Sequence, residues 1–195
     1  MAEQPSQLRT FVAQCKKAFQ GTKGLLWALC FVFMLTFVVF PGLSAACSLS
    51  FLEGEQGELA WLNLLYLTAF NVMDTLGRYL AGLEFMNLSR RRTIVLSYLR
   101  ILFLALFILS AFETTQLFAS DCFKLCNFGF FAFTNGYLSS LCSIRAPKVV
   151  KTAEERGTVG AFIGVAKLLG ILIGSTLAIP LKELIKLTPS YQALA

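Results

Sequence analysis

Five apolar runs of about twenty residues each, at 24–43, 59–82, 93–112, 122–144 and 160–181, govern what this chain can fold into. A helix of roughly 20 apolar residues crosses the ~30 Å hydrocarbon layer of a bilayer. At that depth no water is present to bond the backbone, so a spanning segment must close its own N–H and C=O groups as a helix. The predicted fold class is therefore all-α: a polytopic membrane protein of five transmembrane helices. Composition agrees, since 56% of the 195 residues are apolar and only 14% charged, against about a quarter charged in a soluble domain. The opening Met1-Ala2-Glu3-Gln4-Pro5 is polar and acidic, which does not read as a signal peptide.

The connecting segments set an expected orientation. Lys and Arg outnumber Asp and Glu 17 to 11. The basic residues gather as Arg9, Lys16, Lys17 and Lys23 before the first run, Arg90-Arg91-Arg92 after the second, and Arg145, Lys148, Lys151 and Arg156 after the fourth. The other connections carry Glu53, Glu55 and Glu58, then Glu113 and Asp121, with Lys124 the lone basic residue nearby. Such alternation is membrane topology rather than a nucleic-acid surface, and it places the N-terminus in the cytosol and the C-terminus on the opposite side. The expected organisation is a cytosolic amphipathic leader at 1–23, a five-helix transmembrane bundle at 24–181 and a non-cytosolic tail at 182–195. In the leader, Leu8, Phe11, Val12, Cys15 and Phe19 recur at helical spacing, as in a helix lying on the membrane surface.

Within the second run stands Asn71-Val72-Met73-Asp74-Thr75-Leu76-Gly77-Arg78. A charged side chain at membrane depth costs several kcal/mol unless paired or hydrated. At about 100° per residue, Asn71, Asp74 and Arg78 fall within a ~60° arc of one helix. A structural ion pair between helices and a polar permeation site both fit this stripe; its continuation to Asn71 favours the second. Arg100 and Lys167 lie about seven residues into the third and fifth runs, roughly 10 Å deep and level with Asp74. If neither snorkels to the interface, one carboxylate faces up to three cations, and further counter-charge must come from water, an anionic group or another polypeptide segment.

Chemistry on a substrate has little to work with. The chain holds no histidine, and no nucleophile–base pair, Walker loop or dinucleotide fingerprint appears. Its six cysteines read as small apolar fillers rather than a metal site, with a Cys47–Cys122 disulfide as a minor possibility near the outer face. The reading is a non-enzyme without cofactor or metal. Gly160-xxx-Gly164 and Gly170-xxx-Gly174 suit close helix packing. Asn135-Gly136 in the fourth run would bend or break a helix there, as at a hinge, with Asn135 bonded internally.

These residues carry a resemblance. Phe70-Asn71-x-x-Asp74-x-x-Gly77-Arg78, then Asn135-Gly136-Tyr137-Leu138-Ser139-Ser140-Leu141 and Pro147-Lys148-Val149-Val150, is similar to the equilibrative nucleoside transporter family. Phe40-Pro41-Gly42, the cytosolic Ala153-Glu154 and the glycine-rich last run fit as well. The match runs from about Lys23 to Leu181 and resembles helices seven to eleven, half of a major-facilitator-like transporter. It implies facilitative uniport of nucleosides or nucleobases by alternating access against a six-helix N-terminal bundle, in a plasma membrane or endomembrane. It also implies that Asp74 and Arg78 engage the sugar hydroxyls, that Asn71 joins them, and that Phe40 and Ile171 border the ligand. A carboxylate beside a guanidinium serves hydroxyls that both donate and accept, and Phe40 with Leu67 supplies an apolar wall for a base. Asn135, Gly136, Arg100 and Lys167 are assigned structural or gating roles. The rival reading is a truncated, non-transporting subunit that binds a full-length transporter or a separate N-terminal half.

Overall fold

A computed structural model describes residues 4–44, 47–52, 54 and 57–185. Its described residues are helical and contain no strand. The helices are α1 (Gln4–Val38), α2 (Glu58–Ala81), α3 (Arg90–Leu99), α4 (Ile101–Ala111), the single turn α5 (Gln116–Ala119), α6 (Asp121–Arg145) and α7 (Ala153–Ile185). Two long pairs organise the bundle: α1 packs along α7, and α2 along α6. Helix α6 also touches α1, and α3 lies against α1.

Three described stretches are long and apolar enough to cross a bilayer: Phe11–Val38, Arg90–Ala111 and Ala153–Leu181. Helices α2 and α6, 24 and 25 residues long, occupy the second and fourth expected spans and have the length to cross. Their buried Asp74, Lys124, Asn127 and Asn135 dilute the apolar character that the other three keep.

Several elements differ from the sequence reading. The leader does not form a separate helix, because α1 runs unbroken for 35 residues from Gln4 to Val38. At 1.5 Å per residue such a helix is about 50 Å long, well beyond the hydrocarbon thickness. Helix α1 then kinks through a wider π-turn at Val39–Leu43, where Phe40 leaves helical geometry at φ −112°, ψ 132°. The residue before a proline is driven out of the α region by the following ring, and Pro41 is that proline. The third span is interrupted at Arg100, between α3 and α4. Asn135-Gly136 does not break α6, which continues as a helix through both residues. The expected tail at 182–195 lies outside the described residues from 186 onward.

Glycine explains the close approaches. A Cβ on Gly136 would run into the backbone carbonyl of Asp74, and one on Gly77 into that of Phe133. The two glycines therefore mark where α2 and α6 nearly touch backbone to backbone. Gly170 and Gly174 do the same for α7 against Cys30 and Met34 of α1, whereas Gly160 and Gly164 have nothing within 4 Å. Of the two glycine pairs in the last run, only the second packs closely among the described residues.

The end of the bundle near α5 is stapled by polar contacts. Lys124, 3% exposed, donates to Ser48 O and Glu113 Oε1, both at 2.8 Å. Ser50 N donates to Asp121, and Tyr66 OH donates to Cys47 O at 2.9 Å. Cys47 is a buried free thiol and Cys122 an exposed one, so no disulfide joins them.

Candidate polar site on helices α1, α2 and α6

Helix α2 presents Asp74 toward α6 and keeps Asn71 and Arg78 on its exposed side. Arg78 Nε donates to Asp74 Oδ2 at 2.6 Å. Four residues apart on one helix, the two side chains meet without distorting the backbone. The pair is asymmetric: the Asp74 side chain is 11% exposed and that of Arg78 46%. A buried carboxylate and a half-open guanidinium leave charge available at the surface of the helix without leaving the acid uncompensated.

The second carboxylate oxygen is bound from across the crossing. Asn135 Nδ2 donates to Asp74 Oδ1 at 2.7 Å, reaching over the gap that Gly136 keeps narrow. Asn135 Oδ1 in turn accepts from Thr36 Oγ1 of α1 at 2.7 Å. Arg100 joins from the α3–α4 interruption. It is 2% exposed and donates to Val32 O (3.0 Å), Phe131 O (3.2 Å), Thr36 Oγ1 (3.3 Å) and Thr134 Oγ1 (3.2 Å). Its guanidinium also sits over the Phe131 ring, 4.8 Å from the centroid, a favourable place for a cation. Arg100 therefore does not snorkel, and its missing counter-charge is replaced by carbonyl and hydroxyl dipoles of α1 and α6. Five donors in a planar fork make such a substitution feasible for arginine.

The remaining expected residues fall around this line. Asn71 is exposed and turns its amide back to Leu67 O at 2.9 Å, rather than toward Asp74. Leu67 is exposed on the same helix. Phe40 stacks on Phe70, rings 5.1 Å apart and 3° from parallel, and both abut Phe128. Phe70 lies one turn before Asp74, so an aromatic shelf adjoins the acid. Ile171 is half-buried on α7. Lys167, also on α7, lies 5.9 Å from the centroid of the Phe33 ring and near enough to Arg78 for the two cations to repel. The charged layer is therefore two groupings: Asp74, Arg78 and Arg100 joined by hydrogen bonds, and Lys167 beside them.

Sequence reasoning missed Thr36, Thr134, Phe70 and Phe128. Phe70 stood inside the quoted motif. Thr36 shows only as a lone hydroxyl one turn before Phe40, and nothing in its spacing announces that a buried arginine from another helix requires it.

The sequence has relatives among known proteins. A family model described as "Nucleoside transporter" matches residues 2–182. Equilibrative nucleoside transporter 1 of Rattus norvegicus is 32% identical over 171 residues, covering 83% of this chain and 36% of that protein. Equilibrative nucleoside transporter 2 of Homo sapiens is 32% identical over 82% of this chain and 36% of its own length. Nucleoside transporter 1.2 of Leishmania donovani is 26% identical over 80% and 31% respectively. The chain thus spans about a third of the length of the curated relatives it matches. With its apolar helices and a match over nearly its whole length, it is an integral membrane protein that belongs to the nucleoside transporter family.

Proposed function

We propose that this chain supplies one wall of the substrate site of an equilibrative transporter for nucleosides or nucleobases, working against a six-helix N-terminal bundle. The observation that carries the reading is the Asp74–Arg78 pair, its acid buried and held by Asn135 and its guanidinium half-open on α2. A sugar hydroxyl donates to the carboxylate and accepts from the guanidinium, and a base lies on the apolar surface of Phe40, Leu67 and Ile171. Binding the sugar in one orientation from a half-site and releasing it when the two bundles rock requires no covalent step, so the protein moves its substrate unchanged. Five spans with a cytosolic N-terminus complete the reading. Helices α2 and α6 then cross the bilayer as α1, α3–α4 and α7 do, their polar residues turned to the interior and the site.

The test is radiolabelled uridine or adenosine flux into liposomes holding the chain fused behind a six-helix N-terminal bundle. Saturable flux is expected in the fused protein and none from the chain alone. Asp74→Asn is expected to lower uptake about ten- to a hundredfold at equal insertion, the loss of a hydrogen bond to an ionised group being worth roughly 1.5–3 kcal/mol. Equal uptake by Asp74→Asn would leave the pair a purely structural one.

A further inference from the structure

We propose that Arg100, Thr36 and Asn135 are positioning residues, a one-way hydrogen-bond relay that holds Asp74 as an acceptor-only group for a substrate hydroxyl. The inference rests on the proposed transport reading and adds to it residues on three further elements, none of which faces the ligand.

The direction of the relay follows from counting protons. Thr36 has one hydroxyl hydrogen and two acceptors within reach, Val32 O at 2.8 Å and Asn135 Oδ1 at 2.7 Å. Arg100 contacts both sides of that choice. One of its nitrogens already donates to Val32 O, and another donates to Thr36 Oγ1. Asp74, paired with the Arg78 guanidinium, offers Oδ1 as an acceptor, so the Asn135 NH2 faces it and Asn135 Oδ1 faces Thr36. The Thr36 oxygen accepts from Arg100, and its one proton meets Asn135 Oδ1. Every donor in the series points the same way: Arg100 to Thr36, Thr36 to Asn135, Asn135 to Asp74.

The consequence is chemical. Asp74 receives a proton donor on Oδ1 from Asn135 and another on Oδ2 from Arg78. Its free lone pairs accept only, so the group it selects is a ligand donor, as a sugar hydroxyl is. Flipping the Asn135 amide would turn its oxygen toward Asp74, and two acceptors would face each other. Arg100 thus acts on the site through two intervening side chains, and the α3–α4 interruption is where α1 and α6 can both be reached from one residue.

Thr36→Val removes the hydroxyl at nearly constant shape, and Thr36→Ser keeps it. In the fused transporter, uridine and 2′,3′-dideoxyuridine are compared at equal amounts of protein in the membrane. The wild type is expected to prefer uridine. Thr36→Val is expected to raise the KM for uridine about tenfold, with the KM for the dideoxy analogue unchanged, and Thr36→Ser to restore the preference. Thr36→Ala, which removes the hydroxyl with less bulk, carries the same expectation should the valine variant fail to insert. An unchanged uridine KM, an equal loss on both substrates, or a fall in maximal rate alone would overturn the relay and leave the Asp74 reading intact. A wild type that fails to distinguish the two substrates would instead sink the Asp74 reading, and the relay with it.

Discussion

Arg100 is the residue on which the interior of the bundle is most dependent. Four hydrogen bonds from one buried guanidinium join α1 to α6 through the α3–α4 interruption. Removing such a group while leaving its acceptors in place is costly, since each buried acceptor loses a hydrogen bond that no water replaces. Lysine keeps the charge but presents a point donor on a flexible stem, unable to reach carbonyls on two helices together. We expect Arg100→Lys to lower the stability of the protein in detergent by about 2–4 kcal/mol, read as a lower melting midpoint against the wild type. A midpoint equal to the wild type would show that the fork geometry is dispensable. Lys124 is a second buried cation, but its partner Glu113 is partly open to solvent, so less is expected of that pair.

At the scale of elements, backbone proximity rather than side-chain bulk sets the α2–α6 crossing. Gly77 and Gly136 each oppose the other helix's backbone, and this approach brings Asn135 within 2.7 Å of Asp74. A methyl group at either position requires the helices to separate, which also breaks the bond to the acid. Gly136→Ala is therefore expected to be destabilising by several kcal/mol, as overpacking in a rigid contact is, and to abolish uptake with it. Gly160→Ala provides the contrast, since nothing stands within 4 Å of its Cβ position. In the chain by itself that change is expected to be neutral or slightly stabilising, alanine being preferred to glycine in a helix by up to about 1 kcal/mol. Thermal melts of the two variants side by side check both expectations. Equal melting behaviour would mean that the helices can slide apart at no cost.

At the scale of the molecule, the chain is an assembly of two helix pairs with an open face. Arg78, Asn71 and Leu67 stand exposed on α2, and Gly160, Gly164 and Leu168 on α7. Exposed polar groups such as those of Arg78 and Asn71 cannot be satisfied by lipid, and we propose that the N-terminal bundle covers them. From the basic clusters we propose a cytosolic N-terminus. Glycosylation acceptors placed in the 53–58 connection and near the C-terminus are expected to be modified in cells, and an acceptor beside Arg91 is not. Modification beside Arg91 would invert the topology and move the basic residues to the outer side.

The sequence by itself determined the helical class, the positions of the long apolar segments and the ion pair at Asp74 and Arg78. Each is a consequence of local chemistry: bilayer thickness sets run length, and helical pitch brings residues four apart together. It also carried the family, because Phe70 to Arg78 and Asn135 to Leu141 are contiguous motifs. Local reasoning misjudged Asn135-Gly136, which looks like a helix breaker when α6 is considered alone. Only the tertiary structure decided that Gly136 makes room for another backbone and that Asn135 is satisfied across the gap. It likewise decided that Arg100 turns inward, since the acceptors that hold it come from Val32, Thr36, Phe131 and Thr134 on two other helices. A buried charge is stable only where distant segments converge to solvate it, and that convergence is a property of packing which no single stretch of the chain contains.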